Sequence, residues 1–365
     1  MIHMKCALLF TSINIILLLS STTSEAQETN NSQNGSVTNA EPAHAQYRLG
    51  DESTLLVKLN RTKSNEGNYH YGFRFQSVWT GKQVFVRVSG ITAPFHLKIN
   101  GFEYGLGDGP GAPLEYNITP FLKQELNEIQ LNFDKADQNT FGNSFDGGML
   151  IIREPVHVRD LEVTSYFQSE TPNTLVRIHL FIQSYLSEQN KGRILMLNLS
   201  DPEGDTIFTH KKRIDFPLAF RQEVEFTFDQ NIENPQLWSP DQPHLYHLQI
   251  TMVEDGNREG ELVSATFGIR SATFQDSVLV INRDTIRPVI AHDSLFSPVA
   301  DQPDDEILHL FNEMGANALQ TNRYLPSRIL DLFDRKGIVV LKYREDQDPN
   351  QDRSDVNHPS IVWIE

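Results

Sequence analysis

The chain has 365 residues, with 31 lysines and arginines against 48 aspartates and glutamates, for a formal net charge of −17. This length suits two or three compact units, each burying its own core. The negative surplus excludes nucleic acid and argues against an anionic membrane surface, since both would repel it.

Met1 to Lys5 is a short basic segment, Ala7 to Ser20 an apolar run, and Ser24-Glu25-Ala26 an A-x-A-like cleavage site. That is the pattern of a secretory signal peptide over residues 1–26. A membrane anchor is the lesser alternative, because the run is shorter than the ~20 residues of a spanning helix and is interrupted by Ser and Asn. The expected product is exported, periplasmic or secreted, with no membrane association after signal cleavage. The single cysteine, Cys6, precedes the apolar run. Disulfides, thiolate zinc sites and cysteine nucleophiles are therefore not expected in the mature chain. Residues 27–46 are polar and aperiodic, and read as a disordered leader.

From Tyr47 to about Arg270 short apolar alternations such as QVFVRVSG, EIQLNF, RILMLNL and YHLQITMV are separated by Gly, Pro, Asn and Asp clusters. Alternation at period two with frequent turns predicts antiparallel β-sandwiches, with a boundary near Pro155. Past Val280 the texture changes. DDEILHLFNEMGAN places Ile307, Leu308, Leu310, Phe311 and Met314 at helical spacing behind an acidic start. SRILDLFDRKG predicts a second helix, with Ser327 as N-cap and Gly337 as its stop. With ALQTNRYLPS and GIVVLKY as strands around it, the order implies parallel pairing. The expected fold class is mostly β: a jelly-roll sandwich over 47–155, an immunoglobulin-like sandwich over 156–270, and a partial (β/α) barrel fragment over 271–365.

Several motifs narrow this further. Asn100-Gly101 precedes a glycine-rich stretch from Gly105 to Gly111, then Thr119-Pro120-Phe121-Leu122 and a strand with Asn127 and Ile129. Later come Leu237-Trp238-Ser239-Pro240, Pro243 to Tyr246, and Gly268-Ile269-Arg270. NHPSIVW stands at Asn357 to Trp363. In this order they resemble the sugar-binding, immunoglobulin-like and barrel-opening segments of family 2 glycoside hydrolases, the β-galactosidase and β-glucuronidase type.

The resemblance implies a retaining O-glycosidase, a chemistry that needs two carboxyl groups about 5 to 5.5 Å apart. In the family the acid/base carboxyl follows the NHPSI strand within a Gly-Asn-Glu triplet. Here the sequence reads Trp363-Ile364-Glu365, and Glu365 is off that register. No catalytic residue is assigned. Other family positions differ as well: Gln320 stands for an arginine, Arg323 for a histidine and Tyr343 for a glutamate, while Arg287 and His292 are kept from the first barrel strand. Carbohydrate-contact candidates are Asn100, His292, Arg323 and Tyr324. For Asn100 the type I′ turn is the foremost reading, and for His292 a structural role is. No cofactor and no metal is expected. Asp108 with Asp146 gives no fixed ligand count, and the Asp-rich stretch REDQDPNQDRSD lacks calcium-loop spacing.

The expected function is that of an exported, non-catalytic, carbohydrate-associated protein. The alternatives are a truncated retaining O-glycosidase and an interaction module without sugar binding. An incomplete barrel leaves sheet edges open, which gives a protein partner covering that edge a physical basis.

Overall fold

A computed structural model describes residues 68–364, apart from 89–90, 92, 108–113, 134–147, 168–172, 187–191, 215–221, 255–259, 276–277, 293, 295–301, 323–324 and 344–356. Before residue 68 it describes strand backbone at 43–44, 55–58 and 61–65. The expected signal peptide and most of the expected leader lie outside these residues.

The first ten strands are β1 (Ala43–His44), β2 (Leu55–Lys58), β3 (Arg61–Asn65), β4 (Asn68–Arg74), β5 (Gln83–Val88), β6 (Phe95–Ile99), β7 (Phe102–Gly107), β8 (Leu114–Asn117), β9 (Leu126–Phe133) and β10 (Gly148–Arg153). They form two five-stranded antiparallel sheets, ordered β1-β8-β5-β10-β2 and β3-β4-β9-β6-β7. Inward positions alternate along each strand, as a sandwich requires. In β9, Asn127, Ile129, Leu131 and Phe133 are buried while Leu126 and Glu128 are exposed. Within the expected leader, Ala43 and His44 pair with Glu115 and Leu114 on β8. Pairing with a preformed strand orders a backbone that its own side chains would not.

The second sandwich comprises β11 (Val156–Phe167), β12 (Asn173–Ser184), β13 (Arg193–Ser200), β14 (Thr206–Ile214), β15 (Gln222–Glu233), β16 (Tyr246–Glu254) and β17 (Gly260–Phe267). Its sheets are β11-β12-β15 and β14-β13-β16-β17. They enclose a continuous aliphatic core that includes Val176, Ile178, Leu180, Leu195, Leu197, Leu248, Ile250 and Val263.

The remainder departs from the expected plain barrel opening. Strands β18 (Ala272–Gln275), β19 (Val278–Ile281) and β20 (Asp284–Ile286) first form a small antiparallel sheet. Its tight turn has Asn282 at φ 52° and Arg283 at φ 80°, the double left-handed geometry of a hairpin. Parallel pairing begins only at β21 (Ile290–His292), followed by helix α1 (Asp304–Met314), β22 (Ala318–Gln320), helix α2 (Ser327–Lys336), β23 (Val339–Tyr343) and β24 (Ile361–Ile364). The parallel sheet is ordered β21-β22-β23-β24 and is open among the described residues.

Helix α1 starts with Asp304, Asp305 and Glu306 at its positive end and buries Ile307 and Phe311, one turn apart. The N-cap of α2 is Pro326, not Ser327, and no side chain caps it. Proline's fixed φ sets the entry there, which puts Ser327 inside the helix. Gly337 ends α2 at φ 68°, as expected of a left-handed C-terminal glycine.

Candidate functional site

Side chains alternate across the parallel strands, so two faces with different partners result. Ala291, Leu319, Val340 and Ile361 pack under the helices. Ala318, Val339, Leu341, Val362 and Ile364 face the other way, against Trp238, Leu279 and Ile281. The antiparallel β18–β20 sheet thus covers the face that would point into a barrel.

That second face continues at the C-terminal strand ends as a polar row. His292 ends β21 and is exposed beside Gln320, the last residue of β22. The Gln320 side-chain amide donates to the Tyr343 hydroxyl at 2.8 Å, and Tyr343 ends β23 with 43% exposure. The Asn322 carboxamide oxygen accepts the Tyr343 backbone N–H at 3.1 Å, fixing the end of β22 against β23. In parallel α/β sheets this end is where ligands sit. The row offers an imidazole, an amide and a phenol, which donate to and accept from hydroxyl groups but supply no carboxyl group. Arg323 and Tyr324 lie outside the described residues, as do Asp108, Asp146, the Asp-rich stretch and Glu365.

Asn100 has another task. With φ 52° beside Gly101 at φ 87°, it makes the hairpin turn between β6 and β7. Its amide donates to Phe121 O at 2.8 Å and to Asn127 Oδ1 at 2.9 Å. Its own oxygen accepts the Glu128 N–H at 2.9 Å. Each end of the side chain is spent inside the protein, so the geometry assigns Asn100 to the turn and not to a ligand.

The NHPSI motif proves to be a seat between the second sandwich and the parallel sheet. Asn357 Oδ1 accepts the Val163 N–H at 2.8 Å, and its amide donates to Leu161 O at 2.9 Å. His358 Nδ1 bonds Asp334 Oδ2 at 2.6 Å, and the Ser360 N–H donates to Asp334 Oδ1 at 3.0 Å. Arg270 donates to the carbonyls of Pro359 and Ile361. Its guanidinium lies 5.9 Å from the Trp238 ring. The Trp238 Nε1–H donates to Asp334 O at 2.8 Å. Burial pushes Arg270 down to about 10, opposed by the charge of Asp334.

Asp331, Asp334 and His358 bring one potential metal-ligand atom each within 4.8 Å of one another. Both Asp334 oxygens already hold protein donors, and a guanidinium is close enough to act on the carboxylate. Those bonds make Asp334 and His358 part of the seat. The Leu-Trp-Ser-Pro, Gly-Ile-Arg and NHPS motifs stand far apart in the sequence. No spacing in the chain indicates that they meet.

Comparisons with known proteins follow the same line. Residues 156–270 match the model of glycosyl hydrolases family 2. A beta-glucuronidase of Formosa agariphila is 24% identical over 309 residues, covering 75% of this chain and 31% of its own length. A beta-galactosidase of Priestia megaterium is 23% identical over 312 residues, covering 81% of this chain and 30% of its own length. The chain thus spans about a third of these relatives. In structure it is similar to a Bacteroides uniformis beta-glucuronidase, with a TM-score of 0.70 at 21% identity, over 82% of this chain and 41% of that one. No helix among the described residues is long and apolar enough to cross a membrane. From the sandwich that matches the family model to the ordered motifs seated around Trp238 and Arg270, the features converge on glycosyl hydrolases family 2, whose model the second sandwich of this chain matches.

Proposed function

We propose that this is an exported carbohydrate-associated member of the family which, as this chain, holds sugar at the C-terminal edge of its parallel sheet without hydrolysing it. The carrying observation is the row His292, Gln320 and Tyr343. It holds hydrogen-bonding groups without a carboxyl at the ligand end of the sheet, with Gln320 bonded to the tyrosine that stands where the resemblance implies a glutamate. Such groups match the hydroxyls of a sugar but provide neither the general acid nor the nucleophile of retaining hydrolysis. The names of the relatives give the sugars to try first, β-galactosides and β-glucuronides. Export is supported by the basic, apolar and A-x-A-like pattern of residues 1–26, and N-terminal sequencing of the mature protein should begin at Gln27.

Calorimetry with β-galactosyl and β-glucuronyl oligosaccharides, run alongside aryl glycosides, tests the reading. Binding without product release is expected, with Gln320→Ala weakening affinity. Turnover by this chain, abolished by an active-site-directed inhibitor, would overturn it.

A second reading has its own observation. The chain matches about a third of relatives named as hydrolases, so it fits equally a part of a longer retaining glycosidase. Strands β21 and β24 each pair on one side only among the described residues, and further strands or a partner protein would complete them. Sequencing the flanking DNA decides: barrel-coding sequence with a Gly-Asn-Glu triplet supports this reading, and an unrelated gene removes it.

A further inference from the structure

The chain passes from the first sandwich to the second between Arg153 and Val156, through a buried polar corner. Arg153 bonds Glu115 at 3.3 Å, and both side chains are 2% exposed. The Arg153 guanidinium lies 5.3 Å from the Phe85 ring. His157 stacks on Tyr185 at 5.8 Å and meets Phe85 edge-on at 5.6 Å. Its Nδ1–H donates to Glu154 O at 2.8 Å. Immediately beyond, the register of β11 against β12 shifts between Val158 and Asp160. At this bulge the Val158 N–H turns to a side chain, Glu261 Oε2, at 2.7 Å.

Glu261 is the second residue of β17 and is 3% exposed. Among the described residues its Oε1 meets no hydrogen-bond partner. A buried carboxylate held by one donor is costly unless it takes up a proton. Burial pushes this carboxyl up to about 8, against the opposing bond from Val158 and the charge of Arg153, while Glu154 adds to the rise. The other charged groups of the corner are engaged elsewhere. Arg159 pairs with Glu223 and approaches Asp160 at 4.0 Å, and Lys82 pairs with Glu154 at 2.9 Å. Burial, with Arg153 beside it, pushes His157 down to about 3 and keeps it neutral. On β16 the residue opposite Glu261 is Met252, which does not titrate.

We propose that Glu261 is a proton-operated latch at the crossing between the two sandwiches: as the neutral acid it holds β17 against the bulged start of β11, and once ionised it lets that corner open. Ionisation strengthens the single bond to Val158 but strands a charge whose second oxygen has no donor. Water must then enter, and the edge between β11 and β17 is where it can. The corner between β11 and β17 is thereby closed near neutral pH and loosened in alkali.

Amide hydrogen exchange at about pH 6 and about pH 9, corrected for intrinsic rates, tests the latch in wild type, Glu261→Gln and Glu261→Ala. Wild type should lose about tenfold or more of its protection around Val158 and early β17 at the higher pH. Glu261→Gln should keep its protection at both, and Glu261→Ala should lack it at both. Unchanged wild-type protection, or the same alkaline loss in Glu261→Gln, overturns the proposal. Should the variants not fold, infrared spectra of wild type still decide: a protonated-carboxyl band present near pH 6 and gone near pH 9 supports the latch, and its absence near pH 6 refutes it.

Discussion

Asn357 serves Val163 as a neighbouring strand would, taking its backbone N–H on the side-chain oxygen while the amide of the same residue donates to Leu161 O. Two backbone groups of β11 are satisfied by one carboxamide from the turn before β24. Asn357→Ala would leave both without that partner and should destabilise the chain by about 1–3 kcal/mol. Asn357→Asp keeps the acceptor and loses the donor, so it should fall between. Denaturant titration, with exchange at Val163 as the local reporter, checks both.

Asp334 is the hub of the same seat. Asp334→Ala removes the acceptor of the His358 ring and of the Ser360 N–H together, and a loss of about 2–4 kcal/mol is expected from two stranded buried donors. Asp334→Asn should recover part of it, since one oxygen remains. Equal melting temperatures for the two variants would contradict this account.

Gly337 has no room for a side chain. At φ 68° an L-residue is strained by about 1–2 kcal/mol, and a Cβ would run into the carbonyl of Pro240 in the loop between β15 and β16. Gly337→Ala should therefore lower the melting temperature more than an alanine at Gly315. That glycine has a similar φ of 59° with nothing within 4 Å of its Cβ position.

Glu115 gives the molecule an acid limit. Burial alone would raise its carboxyl, but Arg153 and Arg87 outweigh that and hold it below the ordinary carboxylate range. Its folded value is thus the lower one. The stability it contributes is present above the unfolded value near 4.5 and is lost as the pH falls through the folded value. Glu115→Gln should cost about 3–5 kcal/mol at neutral pH, because the buried Arg153 charge loses its counter-ion. Its acid unfolding should also be less steep than that of wild type.

The sandwiches were legible because each strand carries its own alternation: β12 and β17 switch between buried and half-exposed residues at every step. The helices were equally plain, with Gly337 marking the stop of α2. What the chain concealed depends on partners far away in sequence. Ala43–His44 is a strand only because β8 offers it an edge. Glu261 shares the inward face of β17 with Val263, Ala265 and Phe267, and only the β11 bulge gives it the Val158 N–H to accept. At the candidate site, Gln320 and Tyr343 stood out as departures from the family pattern, but their mutual bond depends on the register of β22 against β23. Asn100 could be read as a turn from the Asn-Gly pair alone, while its bonds to Phe121 and Asn127 could not.

The seat around Asn357 to Ser360 also orders events in time. Asn357 reaches residues 194 and 196 positions earlier in the chain, and Pro359 rests where Gly268 leaves space, a Cβ there lying 2.7 Å from it. Contacts this distant in sequence are slow to form and gain little until their platform exists. A chain delivered from its N-terminus supplies the sandwich first, with Trp238, Gly268 and Arg270 already placed, so β24 meets a finished surface as it follows. Refolding from denaturant offers no such order, and the exposed parallel strands then have time to find one another on different molecules.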